Sequence, residues 1–570
     1  METLIDRSAD LSQPLENLGP DETLKFNSGQ LRGTINLALL DRISGGVGPE
    51  DVKLMKFQGI YQQDDRDVRD ERRRQKLEPA YQFMARIRLP GGVVTPEQWL
   101  KIDALAREHG GNTLRMTTRQ TFQFHWLLKD SLRPTIQGLH DVLLDTIAAC
   151  GDDSRGVMCS VNPALSALHA ELSALAKQSS DRAIPRMRAY HEIWYGAERI
   201  AVSGPEEPFY GKTYMPRKFK IGFVLPPDND IDVYSQDLGY IAIVENGEIV
   251  GFNVVIGGGM GRTDRVATTY PRLASLIGFV PKAKVFEVSE AVMSVQRDYG
   301  HRKDRARARF KYTIDDKGLD WVKGEIERRL GFSFEPARDY TFTSNGDVLG
   351  WQQGEDGRHH FTLFVENGRL GAGGRSRAMD GLRAIAEIHK GRFRLTPNQN
   401  VVIADIAPRA RAGIARLLEE YGLAGGEAPS LLRSNAMACV ALPTCGLAMA
   451  ESERYLPSLI DRLEPLLGKH GLADTPITLR MSGCPNGCSR PYIAEIALTG
   501  RAPGKYNLYI GGGFHGERLN TLIEENIGEA KILAVLDALF ARYAAEREAG
   551  EHFGDFCMRS GAVATPLSNS

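Results

Sequence analysis

The sequence predicts an α+β fold of three domains with an internal pseudo-twofold duplication, and three observations carry that expectation. First, Leu114-Arg-Met-Thr-Thr-Arg-Gln-Thr121 reappears as Phe393-Arg-Leu-Thr-Pro-Asn-Gln-Asn400, each copy after a helix-like segment. Second, the stretch between the copies carries strands of its own and reads as an inserted domain. Third, four of the seven cysteines gather beyond the second copy and mark a C-terminal unit. With 570 residues, 42% of them hydrophobic and 25% charged, the chain can bury several cores.

Residues 1–82 read as an N-terminal arm. Its start, through Glu16, is polar and mixed in charge and lacks the pattern of a secretory signal, so the protein is expected in the cytoplasm. The charge-dense run 64–76 reads as a solvated helix or linker. Residues 83–147 hold the first copy: 84–89 alternates like a strand and meets the breaker Pro90-Gly91-Gly92, and 96–108 is a helix with Trp99, Ile102, Leu105 and Ala106 near one face. A strand over 113–126 follows. Its period of two places Arg115, Thr117, Arg119, Thr121, Gln123 and His125 on one face and Leu114, Met116, Thr118, Gln120, Phe122, Phe124 and Trp126 on the other. The apolar face is expected in a core, and the opposite face offers two guanidiniums to an anion.

The inserted domain, 148–341, shows strands at 220–224, 240–244 and 251–256, all far shorter than a bilayer span. The second copy occupies 342–427 with a helix at 379–389, and the C-terminal domain runs over 428–570. A formal net charge of -1 disfavours nucleic acid or an anionic membrane as a bulk partner, so any anion site must be local.

Cys439 and Cys445 are separated by five residues, Cys484 and Cys488 by three, and the pairs by 38. Two local pairs of thiolates can close on one centre, either zinc or an iron–sulfur cluster, and spacings wider than the usual zinc knuckle lean toward the cluster. Within Cys484-Pro-Asn-Gly-Cys488, Gly487 can take positive φ and the backbone can donate to sulfur. Cys150, Cys159 and Cys557 stand apart and read as inert buried thiols.

Basic side chains recur at Arg86, Arg88, Arg115, Arg119 and Arg155, in Arg217-Lys218-Phe219-Lys220, and over 305–311, where strand alternation puts Arg305, Arg307, Arg309 and Lys311 on one face. Converging in a partly buried cavity, they suit a small oxyanion, a polycarboxylate cofactor, or both. A zinc-stabilised nucleic-acid-binding module is the competing class. It leaves the duplication unexplained and lacks the interleaved aromatics that stack on bases.

Four motifs in order, 115–125 (Arg-Met-Thr-Thr-Arg-Gln-Thr-Phe-Gln-Phe-His), Pro216-Arg-Lys-Phe-Lys220, Cys439-Val-Ala-Leu-Pro-Thr-Cys445 and Gly483-Cys-Pro-Asn-Gly-Cys488, resemble the sirohaem-dependent sulfite and nitrite reductases over residues 31–561. Tyr61-Gln-Gln-Asp-Asp-Arg-Asp67 and the overall length resemble the NADPH-dependent sulfite reductase branch. The resemblance implies the three-domain fold of that family, with ferredoxin-like halves at 83–147 and 342–427, a sirohaem and substrate domain at 148–341, a cluster domain at 428–570, and cofactors at their junction.

It further implies that Cys439, Cys445, Cys484 and Cys488 hold a [4Fe–4S] cluster and that Cys488 also ligates the sirohaem iron. Arg115, Arg119, Gln123, Arg309, Lys311 and Asn486 would contact the cofactors, and Arg86, Arg155, Lys218 and Lys220 would surround the substrate. The implied reaction is the six-electron, assimilatory reduction of sulfite to sulfide for cysteine biosynthesis. NADPH, FAD and FMN would act only through a separate flavoprotein (alpha) subunit in a hetero-oligomer; a ferredoxin-dependent sulfite or nitrite reductase is the alternative. Nitrite-selective relatives tend to lack the second lysine of the pair, so Lys220 favours sulfite. Gly446, Thr118 and Trp126 depart from the family's usual Pro, Asn and Gly without removing a ligand.

Overall fold

The computed structural model of the chain describes residues 18–161, 166–186, 191–195, 198–203, 207–371 and 377–563; the polar start read for a targeting signal lies outside them. The first half contains β1 (Ile60–Asp64), β2 (Tyr81–Arg86), β3 (Val93–Val94), helix α1 (Pro96–His109), β4 (Thr113–Met116) and β5 (Phe122–Leu127). The insertion contributes β6 (Met158–Cys159), β7 (Ile221–Val224), β8 (Leu238–Glu245), β9 (Glu248–Ile256) and β10 (Ser275–Pro281). The second half repeats the first with β11 (Gly350–Gln353), β12 (His359–Leu363), β13 (Arg369–Gly371), α2 (Ala378–Ile388), β14 (Arg392–Leu395) and β15 (Val401–Ile406). Last come β16 (Ala436–Ala438), β17 (Leu479–Ser482), β18 (Ile496–Ala502), β19 (Lys505–Ile510) and β20 (Thr521–Ile527).

Helix α1 forms where the sequence placed it. Thr95 and Gln98 make a reciprocal capping box, Pro96 supplies the first helical residue, and Trp99, Ile102, Leu105 and Ala106 turn inward. The Trp99 ring lies 5.3 Å from Phe122 in its own half and 4.4 Å from Phe393 in the other, so one side chain joins the two copies in a single core.

The expected strand over 113–126 is instead a hairpin. Thr117 N–H donates to Thr121 O at 2.9 Å, and Gln120 turns the chain with φ +52°. The second copy does the same: Thr396 N–H donates to Asn400 O at 2.9 Å, with Gln399 at φ +70°. Each glutamine then reaches across to the other hairpin. Gln120 Nε2 donates to Leu395 O at 3.2 Å, and Gln399 Nε2 to Met116 O at 3.5 Å, which are equivalent carbonyls in the two copies.

Neither half completes its own sheet. The order of one sheet is β1-β2-β5-β4-β13 and of the other β11-β12-β15-β14-β3, so β13 joins the first half and β3 the second. The crossing strands follow matched left-handed turns, Gly91-Gly92 and Asn367-Gly368. At Gly92 and Gly368 a Cβ would come within 2.6 Å of Leu395 O and 2.3 Å of Met116 O, which is why both positions need glycine. Strand β1 falls in the segment read as an arm and is an edge of the first sheet, while the charge-dense run forms the exposed helix Arg69–Arg74.

The insertion is a sheet of order β10-β9-β8-β7-β6, with its β8–β9 hairpin closing at Asn246-Gly247, both at positive φ. The C-terminal sheet runs β16-β17-β18-β19-β20, parallel across its first three strands. The strand expected over 305–311 is absent. Asp304 caps a 3₁₀ turn, Arg305–Arg307, and a helix, Phe310–Lys317, follows. Among the described residues no helix is long and apolar enough to cross a membrane.

Candidate active site

Parallel pairing of β16 with β17 puts the residues that follow them at the same sheet edge, and those residues begin the two cysteine motifs. Cys439 N–H donates to Met481 O at 3.2 Å, and Gly483 N–H donates to Cys439 Sγ at 3.2 Å. Asn486 Nδ2 points to Cys484 Sγ at 3.7 Å. Ser489 Oγ donates to Met481 O at 2.7 Å, and its N–H to Ser482 Oγ at 3.3 Å, closing the Cys484–Cys488 loop. The Arg66 guanidinium donates to Cys445 O and Ala448 O, each at 3.2 Å, and so braces the other loop from the N-terminal region.

Burial and then the Cys488 charge raise the pKa of Cys439 to about 12, and both also raise Cys445 and Cys484. The four thiols therefore face one another. Four mutually repelling thiolates suit a polynuclear cationic centre, and the backbone N–H at Cys439 is the kind of donor that tunes one. Cys484 is buried, whereas Cys488 is exposed.

The loop is fixed where three bodies meet. Thr118, in the first hairpin turn, donates through Oγ1 to Cys488 O at 3.1 Å. Arg490, left-handed at φ +54°, donates to Thr118 O at 2.8 Å and Pro397 O at 3.4 Å, equivalent positions of the two hairpins. Its Nε also bonds Asp232 of the insertion, which Arg480 holds at 2.6 Å. From the insertion, Arg262 N–H donates to Pro485 O at 3.0 Å.

Beside this loop the sheet of the first half presents a row of polar side chains. Register pairs Arg86 with Gln123, Gln123 with Arg115, and Arg115 with Arg369, so all four share one face across β2, β5, β4 and β13. His125 lies two residues along from Gln123 on that face. Burial and the charges of Arg369, Arg115 and Arg86 keep its ring neutral.

The predicted basic residues divide into two groups. Arg88 is spent on Ala148 O, Ser154 O and Ser180, and Arg115 on Glu453 (2.6 Å) and Ala438 O (2.8 Å). Arg305 pairs with Asp152 and Asp21, and Arg307 with Asp316. The others converge. Arg119 donates to Gln236 and Gly156 O from the hairpin turn, and burial together with Arg155, Arg86 and Arg490 pushes its pKa down to about 9. Burial, then Arg217, Arg309 and Arg155, push Lys218 well below an ordinary lysine, whereas Cys488 opposes that shift. Lys220 is pushed down likewise by burial, Arg119, Lys218 and Arg309.

Arg309 binds Asp237 at 2.9 Å, and its Nε has no hydrogen-bond partner. The Nε atoms of Arg86 and Arg155 are also buried without a hydrogen-bond partner. Lys311 donates to the carbonyls of Gly259, Gly261 and Tyr270, and burial and Arg309 lower its pKa to about 6. Crowded cations with unused donors, within electrostatic reach of the exposed cysteine, fit a polycarboxylate macrocycle and a small oxyanion.

Asp237, Asp232, Arg480, Arg490, Glu453 and Arg369 were missed from the sequence, since each acts through partners distant in the chain. Only the long-range register could have revealed them. Cys150, Cys159 and Cys557 are buried away from the four-cysteine group.

Fold and site together define a two-loop cysteine centre set against a cluster of crowded basic side chains, and the comparisons give that class its family. A model described as the nitrite and sulphite reductase 4Fe-4S domain matches residues 176–334, and one described as the nitrite/sulfite reductase ferredoxin-like half domain matches 74–142 and 352–421. The chain belongs to the nitrite and sulfite reductase family.

It is 67% identical to the sulfite reductase [NADPH] hemoprotein beta-component of Nitrobacter hamburgensis, covering 98% of this chain and 97% of the relative. The protein of the same name from Nitrosomonas eutropha is also 67% identical at the same coverage, and that from Bacillus subtilis is 55% identical over 95% of each chain. The solved structure of the Mycobacterium tuberculosis NirA protein shares the fold, with a TM-score of 0.77 and 24% identity over 96% of this chain and 97% of that one.

Proposed function

We propose that this chain reduces sulfite to sulfide, with Arg86, Arg155, Lys218 and Lys220 around the substrate and the four cysteines holding a [4Fe–4S] cluster. The carrying observation is the crowding of the half-buried Lys218, Lys220 and Arg119 and the buried Arg309 within electrostatic reach of one another, with the exposed Cys488 in reach of Lys218. Relatives of up to 67% identity bear the sulfite reductase name, which supports the same reading. When bound, a sirohaem held at Cys488 and the cluster held by the four cysteines would relay electrons from the donor to the substrate. Arg119, Gln123, Arg309, Lys311 and Asn486 would hold these groups, and Arg115 would act through the Glu453 clamp beside Cys439.

The chain's own part is charge and protons. Six electrons enter and three oxygens leave as water, so every S–O cleavage needs two protons and a counter-charge for departing oxygen. Arg86 and Arg155 can hold charge but cannot release a proton, and the guanidinium of Arg155 is steadied by Ala149 O and Gly151 O at 3.2 and 3.0 Å. Burial and neighbouring cations lower the pKa of Lys218 and Lys220, so that a proton held there leaves more readily than from an ordinary lysine, as a donor requires. The relatives' designation as a beta-component supports a separate electron-donating alpha subunit, for which we propose an NADPH-dependent flavoprotein with FAD and FMN in a hetero-oligomer.

The test is protein from a sirohaem-competent host, its visible spectrum, and sulfide formed from sulfite with a chemical reductant. Chlorin-type bands with sulfide product support the reading; a colourless protein or no sulfide overturns it. In that assay Lys220→Ala is expected to keep the spectrum and lose about 10²–10⁴ in turnover, the range for a lost general acid. Full turnover in that variant would remove Lys220 from the proton path.

A further inference from the structure

A basic cavity of about 250 Å³ is walled in part by Gly151 and Asp152. Lys25, Lys53, Lys56 and Arg305 line it, against the carboxylates of Asp21 and Asp152. Its carboxylates are engaged. Asp21 pairs with Lys53 at 2.6 Å and with Arg305 at 2.8 Å. Asp152 is shared by Arg305 at 2.8 Å and by Lys25 and Arg217 at 3.7 Å each; burial raises its carboxyl, but Lys25, Arg305 and Arg217 outweigh burial and hold it low. Lys56 differs from the other three cations. Among the described residues no carboxylate lies within ion-pair distance of it, and its ammonium sits 5.7 Å from the centre of the Tyr61 ring. Burial first, then Arg305 and Arg217, disfavour its charge, an imbalance that an anion in the cavity reverses.

The cavity shares parts with the substrate site. Gly151 forms its wall, and the carbonyl of Gly151 is held by Arg155 at 3.0 Å. Tyr61, whose ring lies 5.7 Å from the Lys56 ammonium, is also within electrostatic reach of Arg155. Arg217 reaches Asp152 on one side and adjoins Lys218 in the chain on the other. We propose that this cavity is an entry site for the substrate oxyanion, in which Lys56 captures sulfite before it passes along Arg217 and Arg155 to the lysine pair. The proposal rests on the reading of the chain as a sulfite reductase. No bond changes there: the site raises the local concentration of a small anion, and a cation at a cleft mouth acts mainly on the rate of association.

The test is stopped-flow association of sulfite with the reduced holoenzyme, followed by the haem absorbance, for wild type, Lys56→Gln and Lys56→Arg. Lys56→Gln is expected to slow association about tenfold, within the range of electrostatic steering, with little change in the dissociation rate and a shallower dependence on salt. Lys56→Arg restores association because the charge returns. Inorganic sulfate slows association in the wild type and not in Lys56→Gln. An unchanged association rate in Lys56→Gln overturns the proposal, as does a loss confined to dissociation, which would place Lys56 at the substrate's final position. Failure of the sulfite reductase reading has a different signature: wild type then shows no sulfite-dependent spectral change, and the same comparison with nitrite still reads the part played by Lys56.

Discussion

Cys488→Ser protein is expected to purify folded but without the coupled visible bands, and to reduce sulfite more slowly by well beyond the about 10–100-fold that accompanies loss of an outer-shell partner. Serine keeps the shape of the loop. Ser489, Ser482 and Thr118 hold its backbone without the thiol, so the substitution isolates the ligand from the fold. What changes is the donor atom, since a hydroxyl is harder than sulfur and stays protonated at neutral pH. The charge of Cys488 raises the other three thiols, Cys488 is the exposed member, and it is within electrostatic reach of Lys218, so it links the cysteine group to the lysine pair. Iron and acid-labile sulfide assays with the visible spectrum check the prediction. A variant with normal colour and activity would refute the proposed bridge.

The second large effect is structural. Arg490→Ala is expected to cost about 3–5 kcal/mol, the range for breaking a buried ion pair from one side. The side chain is 4% exposed, and in one stroke the substitution removes half of the support of Asp232 and both carbonyl contacts to the paired hairpin turns. Arg480 remains on Asp232 at 2.6 Å, so the carboxylate is not wholly orphaned and the insertion itself stays folded. The loss therefore falls on docking. Urea unfolding should show a lower midpoint, and limited proteolysis should release the C-terminal sheet early. A change below about 1 kcal/mol would mean that the three bodies are joined chiefly by other contacts.

Much of this was legible in the residues, for reasons that also explain the misses. The duplication was readable because each copy must satisfy the same backbone turn, and a glutamine in the left-handed region survives in both, as Gln120 and Gln399. The turn is hidden in the first copy, since Thr-Thr-Arg-Gln carries none of the usual turn residues, whereas Thr-Pro-Asn-Gln in the second carries two, a signal the strand reading of both copies passed over. Aligning the copies transfers that signal. In 305–311 the alternation of Arg with Ala imitates a strand, but Asp304 is a helix cap, and cap chemistry prevailed over period. The basic residues were found one by one from the sequence, yet which of them are free could not be: Arg115 is occupied by Glu453, 338 positions away, and Arg309 by Asp237, 72 positions away.

The exchanged strands also set a timetable for biosynthesis. Strand β4 must wait for β13, and Thr113 meets Leu370 only 257 positions later. At typical elongation rates that interval is about 10–50 s, during which the nascent first half has an open edge while the whole insertion has already left the ribosome. The insertion can close its own sheet in that time, because its pairings are all internal. Ribosome-bound intermediates would then carry a finished middle and unfinished ends, with the thiolate loops emerging after both halves and the insertion, so the metal centre would be assembled on a chain whose anion-binding surface already exists.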